Sequence, residues 1–444
     1  MADASSPTLR RELGRWDLTA IGVNQVIGGA VFLMPASVAA AVGGWSPLLV
    51  AAVGGVSLIV ALSFAEVGSR FAGTGGPYLY ARAAFGRFVS LEVGWMQWFT
   101  RAASWASVVN GLMDSLSFYW PALLGRGARG ALIAALIVGM TWINVRGIRL
   151  SSWTINALTI GKIVPLVAYT VIGLAFLDAA RLAPGPLPGG REFATATVLL
   201  IFAFGGYEVV PVTGGETRDP HRAIPFAMVM TILLVTAVMT GAQVVALGTL
   251  PDLASSRTAL ADSAVTFLGG AGALLITLAA VFSMTGNNFG QSLSGSRNLF
   301  ALGEHGDIPR FFAWVHPRYR TPANAVLVTS AVVLALALTG TFATLAAGSA
   351  VSRLIVYAAT CASTLALRRE RFATVVRPAA FVVPGGAVIP TLGCILPVVI
   401  LFFVTPRQIV VGAAALAAGA ALYGVTRLAT RGMPAPRENY LEEV

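Results

Sequence analysis

Apolar runs long enough to cross a bilayer recur along almost the whole of this 444-residue chain, and that recurrence leaves few folds open to it. A helix needs about 20 consecutive apolar residues to span the hydrocarbon layer. Twelve candidate runs lie near 17–42, 46–70, 88–119, 128–145, 151–177, 194–213, 223–249, 271–299, 322–341, 343–366, 387–404 and 407–428. A further short helix is expected around Ser263 to Phe267. Charged residues make up only 11% of the chain, against about a quarter in soluble domains. The pattern predicts an all-α polytopic membrane protein with twelve transmembrane helices.

Charge placement orients it. With both termini in the cytoplasm, most arginines fall on the cytoplasmic side, among them Arg10, Arg70, Arg82, Arg87, Arg146, Arg149, Arg218, Arg297, Arg320 and Arg368. The outer loops hold Arg126, Arg129, Arg181, Arg191, Arg257 and Arg407. This bias obeys the positive-inside rule and accounts for the net charge of +11 without nucleic acid as a partner. The opening MADASSPTLRRELGRWD is polar and basic and lacks the apolar core of a signal peptide. The location expected is the cytoplasmic (inner) membrane, surrounded by lipid. Cys361 and Cys394 stand far apart in apolar surroundings, which argues against a disulfide framework or thiolate metal site. His221, His305 and His316 fall in polar loops. No cofactor or metal is expected.

Two runs share one defect. The first contains NQVIGGAVF (24–32) and the sixth FAFGGYE (202–208), each an adjacent glycine pair beside polar residues at about midspan. Spans one to five and six to ten then form two halves of similar length. Corresponding glycine-interrupted spans in two halves point to a transporter's binding site at the midplane. A broken helix frees N–H groups at the start of one half and C=O groups at the end of the other. Such backbone is tolerated at membrane depth only where it lines a cavity or meets a ligand. The N–H end suits a carboxylate and the C=O end an ammonium; a zwitterionic amino acid presents both.

Ionisable groups inside spans are functional candidates. The only lysine, Lys162, lies in span five. Desolvation penalises a buried ammonium, so Lys162 either exchanges a proton or stays charged against broken-helix carbonyls. Glu208 follows the second break, as a gate, an acid, or a hydrogen-bonding anchor for nearby backbone. Arg101 (span three) and Arg353 (span ten) could each pair with Glu208 or contact an acidic substrate. Glu92 is a poor partner for Arg101, because nine residues at about 100° each put the two on opposite helix faces. Glu66, near the end of span two, reads as a packing or gate residue. Trp95 and Trp98 read as packing or interfacial groups, and Trp105 could line a pocket. Asn24 and Gln25 either stabilise the unwound backbone or face the substrate.

Several stretches together resemble the amino acid–polyamine–organocation (APC) superfamily of transporters. VIGGAVFLMPA is similar to its unwound first span, and SFAEVGSRFAGTGGPYLYARAAFG to its second span and following loop. FAFGGYEVVPVTGGETRDPHRAIPFA resembles its sixth span, and SRNLFALGEHGDIPRFFAWVHPRYRTPANA its eighth-to-ninth loop. RPAAFVVPGGAVIPTLG resembles the entry to its eleventh span. The resemblance implies a LeuT-type fold of two inverted five-helix repeats, with helices 1 and 6 discontinuous, plus two peripheral helices. The parts are a cytoplasmic tail (1–15), a first repeat (16–180), a second repeat (190–368), spans eleven and twelve (369–430) and a cytoplasmic tail (431–444).

The same resemblance implies alternating access and a substrate seated against Val26, Ile27, Gly28, Gly29 and Ala30 of span one and Phe202, Ala203, Phe204, Gly205 and Tyr207 of span six. The carboxylate would meet N–H groups near Gly28, Gly29 and Ala30, and the ammonium carbonyls near Val26, Phe202, Ala203 and Gly205. Tyr207 would gate or shape the side-chain pocket. Ala30 stands where the family's motif has glycine, which would narrow the approach. Lys162 occupies the position of a lysine in proton-coupled and exchanging members, with Ser283 and Thr285 as possible hydroxyl neighbours. Together with Glu208, Lys162 and Ser283 form the expected coupling and gating set.

The function expected is secondary transport of amino acids or related amines, as proton symport or exchange. A non-transporting amino-acid sensor on the same fold is the alternative. A membrane-embedded enzyme is a weaker one, since HExxH, GxSxG, P-loop and metal-spaced His or Cys motifs are all missing from the sequence.

Overall fold

A computed structural model describes residues 11, 13–73, 75–117, 120–146, 152–319 and 321–429. The expected tails at 1–15 and 431–444 lie outside the described residues except for positions 11 and 13–15, as do Arg10, Arg149 and Arg320. Among the described residues the structure is helical throughout, with one isolated parallel bridge between Leu13 and Thr217.

Fourteen α-helices follow in order. They are α1 (Arg15–Val26), α2 (Ala30–Val42), α3 (Ser46–Gly68), α4 (Pro77–Phe85), α5 (Arg87–Leu116), α6 (Arg126–Arg146) and α7 (Ser152–Gly173). Then come α8 (Gly190–Ala203), α9 (Pro220–Thr249), α10 (Ala259–Glu304), α11 (Ala323–Thr339), α12 (Phe342–Leu367), α13 (Val388–Leu401) and α14 (Pro406–Ala429). Among the described residues, eight segments have the length and hydropathy to cross a membrane; α11 and α13 are shorter apolar helices. The expected helix around Ser263 to Phe267 is the start of α10, which bends where Gly269 takes φ +63°.

Local chemistry sets the ends. Thr341 caps α12 by accepting from Thr344 N at 3.3 Å, and Pro220 sits at the first turn of α9, where a missing N–H costs nothing. Small residues let the helices close on one another: a Cβ at Gly22 of α1 would collide with Thr231 of α9, and one at Gly54 of α3 with Thr236. α5 packs along α10 and α12, and α9 along α1 and α3. The helical period assigns faces. α7 turns Ile160, Val164, Val167 and Val171 outward and Lys162, Leu166 and Tyr169 inward.

Both glycine pairs interrupt helices. α1 stops at Val26 and α2 starts at Ala30, while α8 stops at Ala203 and continues as a 3₁₀ turn, Tyr207–Glu216. The breaks touch. Gly206 adopts φ +136°, and a Cβ there would lie 2.6 Å from the backbone C and O of Gln25. At the far end of the same turn, Arg218 N donates to Leu13 O at 3.0 Å, tying it to the entry of α1.

Gly206→Ala therefore carries two penalties, a backbone conformation costing about 1–3 kcal/mol and a collision with main chain that cannot rotate away. Gly28→Ala meets only the Asn287 side chain, at 3.0 Å. Thermal unfolding of the purified variants should show a clearly larger drop for Gly206→Ala; equal melting temperatures would refute the close backbone contact.

Candidate functional site

The last turn of α1 is held by side chains from two other helices. Lys162 of α7 donates from Nζ to Asn24 O at 3.1 Å and to Ile27 O at 2.9 Å. Ser283 Oγ of α10 sits 2.9 Å from Ile27 O and 3.0 Å from Gly28 O, donating to one at a time. One turn on, Asn287 Nδ2 donates to Gln25 O at 2.7 Å. Val26 O is taken internally, by Gly28 N at 2.8 Å. Carbonyls left open by a helix end are thus occupied by an ammonium, a hydroxyl and an amide. Thr285, two positions from Ser283 and partly exposed, lies on another face of α10.

At the other end of the break, α2 begins with N–H groups that no preceding turn can satisfy. Gly29 O accepts from Phe32 N and Leu33 N, which leaves the N–H groups of Gly29, Ala30 and Val31 at the helix start without a helical acceptor. This is the partial positive charge that suits an anion.

The second break carries a buried charge cluster. Glu208 is 1% exposed. Its Oε2 accepts from its neighbour's backbone, Gly206 N, at 2.8 Å and from the Tyr357 hydroxyl at 3.1 Å. Its Oε1 accepts from Arg353 Nε at 2.9 Å, and Arg101 Nη2 lies 3.0 Å from the same oxygen. Arg353 also donates to Phe202 O at 3.3 Å and to Ser104 Oγ at 3.4 Å, and Arg101 to Gln291 Oε1 at 3.3 Å. The two glycines of FAFGGYE therefore have separate reasons. A Cβ on Gly205 would run into the Arg353 guanidinium, and one on Gly206 into α1.

One tight cavity lies between these groups, with room for about one water-sized group. Of the expected substrate residues, Val26, Gly28, Gly29, Ala30, Phe202 and Gly205 line it. Ile27, Ala203, Phe204 and Tyr207 do not. Ile27 gives its carbonyl to Lys162, and Tyr207 stacks on Tyr357 at 5.3 Å and meets Phe64 edge-on. Phe202 O, expected to meet an ammonium, already accepts from Arg353 and from Gly205 N. The amide pair divides. Gln25 is a wall of the cavity, lying against Gly290, whereas Asn24 contributes its carbonyl to Lys162. The Oδ1 of Asn287 and Oε1 of Gln25 have no hydrogen-bond partner among the described residues.

Sequence reasoning missed Ser104, Val108, Asn287 and Gln291 as walls. For Ser104, Asn287 and Gln291 the only signal was a polar residue on an apolar helix, and Val108 carried none. Trp105 is buried but is not a wall; Trp95 and Trp98 spend their indole N–H groups on Ala415 O and Thr329. Glu92 makes no hydrogen bond among the described residues and does not pair with Arg101. Glu66 lies away from the cavity, bound by Arg368 at 2.5 Å and by Val383 N at 2.9 Å.

A family model described as amino acid permease matches residues 13–425. An uncharacterized transporter of Mycobacterium tuberculosis is 33% identical over 95% of this chain and 93% of its own length. The serine/threonine exchanger SteT of Bacillus subtilis is 27% identical over 74% of the chain and 77% of its own. The branched-chain amino acid permease BcaP of the same organism is 24% identical over 72% and 73%.

Glu208→Gln would leave two buried guanidiniums without an anion, and breaking a buried pair in this way costs about 3–5 kcal/mol. Tyr357→Phe removes one hydrogen bond, worth about 1 kcal/mol. Thermal unfolding in detergent should rank Glu208→Gln far below Tyr357→Phe; wild-type stability in Glu208→Gln would show the cluster to be dispensable.

Proposed function

The chain belongs to the amino acid permease family, and from that premise we propose that it is a secondary transporter working by alternating access, as proton symport or exchange. A multi-pass membrane transporter of amino acids or related substrates, and not an enzyme, is the coarse conclusion. The finer reading places twelve crossings in a LeuT-type arrangement, with repeats over 16–180 and 190–368 and both termini in the cytoplasm. Support comes from the arginine distribution and from the paired breaks at corresponding positions of the two halves.

The observation that carries this reading is the contact between the two breaks, with an anion-suited helix start and unpartnered amide oxygens around one cavity. The substrate carboxylate is read onto the N–H groups from Gly29 to Val31. Its ammonium is read onto the side-chain oxygens of Gln25 and Asn287, because Val26 O and Phe202 O are already engaged.

Lys162 is the proposed coupling residue. It holds two carbonyls and, among the described residues, pairs with no carboxylate. An ammonium has three N–H donors and a neutral amine two. Either protonation state can therefore satisfy both carbonyls, so the proton can leave without orphaning the backbone it supports. Ser283 shares Ile27 O and holds the turn while the charge changes.

Proteoliposome uptake of a panel of amino acids and amines, under imposed pH and sodium gradients, tests this. Uptake should follow the pH gradient or a counter-substrate and ignore sodium. Lys162→Ala should lose the pH dependence while retaining binding. Sodium-driven, pH-insensitive uptake would overturn the lysine assignment, and binding without any uptake would point to a sensor.

A further inference from the structure

The charges around the cavity do not balance. Arg101, Arg353 and Lys162 are each no more than 2% exposed, and among the described residues Glu208 is the carboxylate that pairs with both arginines. Among the described residues, Glu66 is committed to Arg368, Asp307 to Arg82 and Arg87, and Asp114 to Arg129, while Glu92 lies against Gly419 of α14 and is not a wall of the cavity. If Lys162 gives up its proton, two guanidiniums still share one carboxylate oxygen. An arginine does not escape by deprotonating, and an uncompensated cation in an apolar interior is costly.

Geometry says where the missing anion belongs. Arg353 lines the cavity and Arg101 does not. Arg353 commits Nε to Glu208 and one contact each from Nη1 and Nη2 to Phe202 O and Ser104. A guanidinium carries five N–H donors, so two remain. The same cavity is lined by Gly29 and Ala30 at the start of α2, whose first N–H groups lack a helical acceptor. It thus holds two anion-seeking groups, with Gln25 and Asn287 in its wall carrying unpartnered amide oxygens as acceptors.

Resting on the transport reading above, we infer that this site takes an amino acid bearing a second acidic group, of net charge −1, and that Arg353 reads the extra acid. A zwitterion fills the helix start and the acceptors but leaves the guanidinium uncompensated. An acidic side chain supplies the missing countercharge, with Arg353 offering the paired donors that carboxylates accept. Gly205 belongs to the same device, because any side chain there would occupy the volume of the guanidinium.

The test is equilibrium binding to the purified full-length protein, comparing aspartate with asparagine and glutamate with glutamine. Each pair differs in charge and hardly in shape. Each acid should bind at least about tenfold tighter than its amide, since a hydrogen bond between ions outweighs one to a neutral group. Arg353→Gln leaves Glu208 paired with Arg101. It should weaken the acids more than the amides and bring the ratio to about one. Arg353→Lys should keep part of the preference. Amides binding as tightly as acids, or a preference that survives Arg353→Gln, overturns the inference and leaves amino acid transport standing. Binding of no member of the panel, neutral or acidic, overturns the inference, and the wider uptake panel then decides amino acid transport separately. If Arg353→Gln fails to fold, the wild-type ratio still decides.

Discussion

Backbone that leaves a helix inside an apolar interior must find partners elsewhere, and here one turn of α1 draws them from α7 and α10. Lys162, Ser283 and Asn287 between them hold the carbonyls of Asn24, Gln25, Ile27 and Gly28. That requirement orders much of the molecule. α7 must turn the face bearing Lys162 inward, and α10 must run close enough to present two polar residues one turn apart. Gly290 on α10 must lack a side chain so that Gln25 can lie against it. The second break solves its own problem differently. It folds Glu208 back onto the N–H of Gly206 and then compensates the carboxylate from α5 and α12.

The helices and both breaks were legible because their signals are local. Hydropathy over about 20 residues marks a span, and two adjacent glycines in an apolar run mark a weak point wherever the rest of the chain lies. Lys162 and Ser283 both reach Ile27 O, whereas Thr285, the other hydroxyl expected beside Lys162, lies on another face of α10.

What was not legible depends on rotation and register between helices. Arg101 and Arg353 were each expected to pair with Glu208 or to contact an acidic substrate, and nothing in the sequence says that both reach the same oxygen of Glu208. Asn287 was passed over because one amide among SMTGNNFGQS carries no hint that it faces a carbonyl 262 positions away. Four of the expected wall residues fall elsewhere for a related reason. A break places consecutive side chains on different sides, so Ile27 and Phe204 turn from the cavity although their neighbours line it. Ile27 nonetheless serves through its carbonyl, a contribution that side-chain reasoning does not see.

The two breaks also differ in how firmly they are fixed. Gly206 rests on the main chain of Gln25, and that contact has no rotamer by which to yield. The contacts from Lys162, Ser283 and Asn287 are side-chain hydrogen bonds, each exchangeable for water at modest cost. A cavity with room for about one water must open before it can hold an amino acid. The backbone contact between the breaks is the part least able to give. Opening must therefore come from the walls carried by side chains on α5, α10 and α12, which include the guanidinium of Arg353.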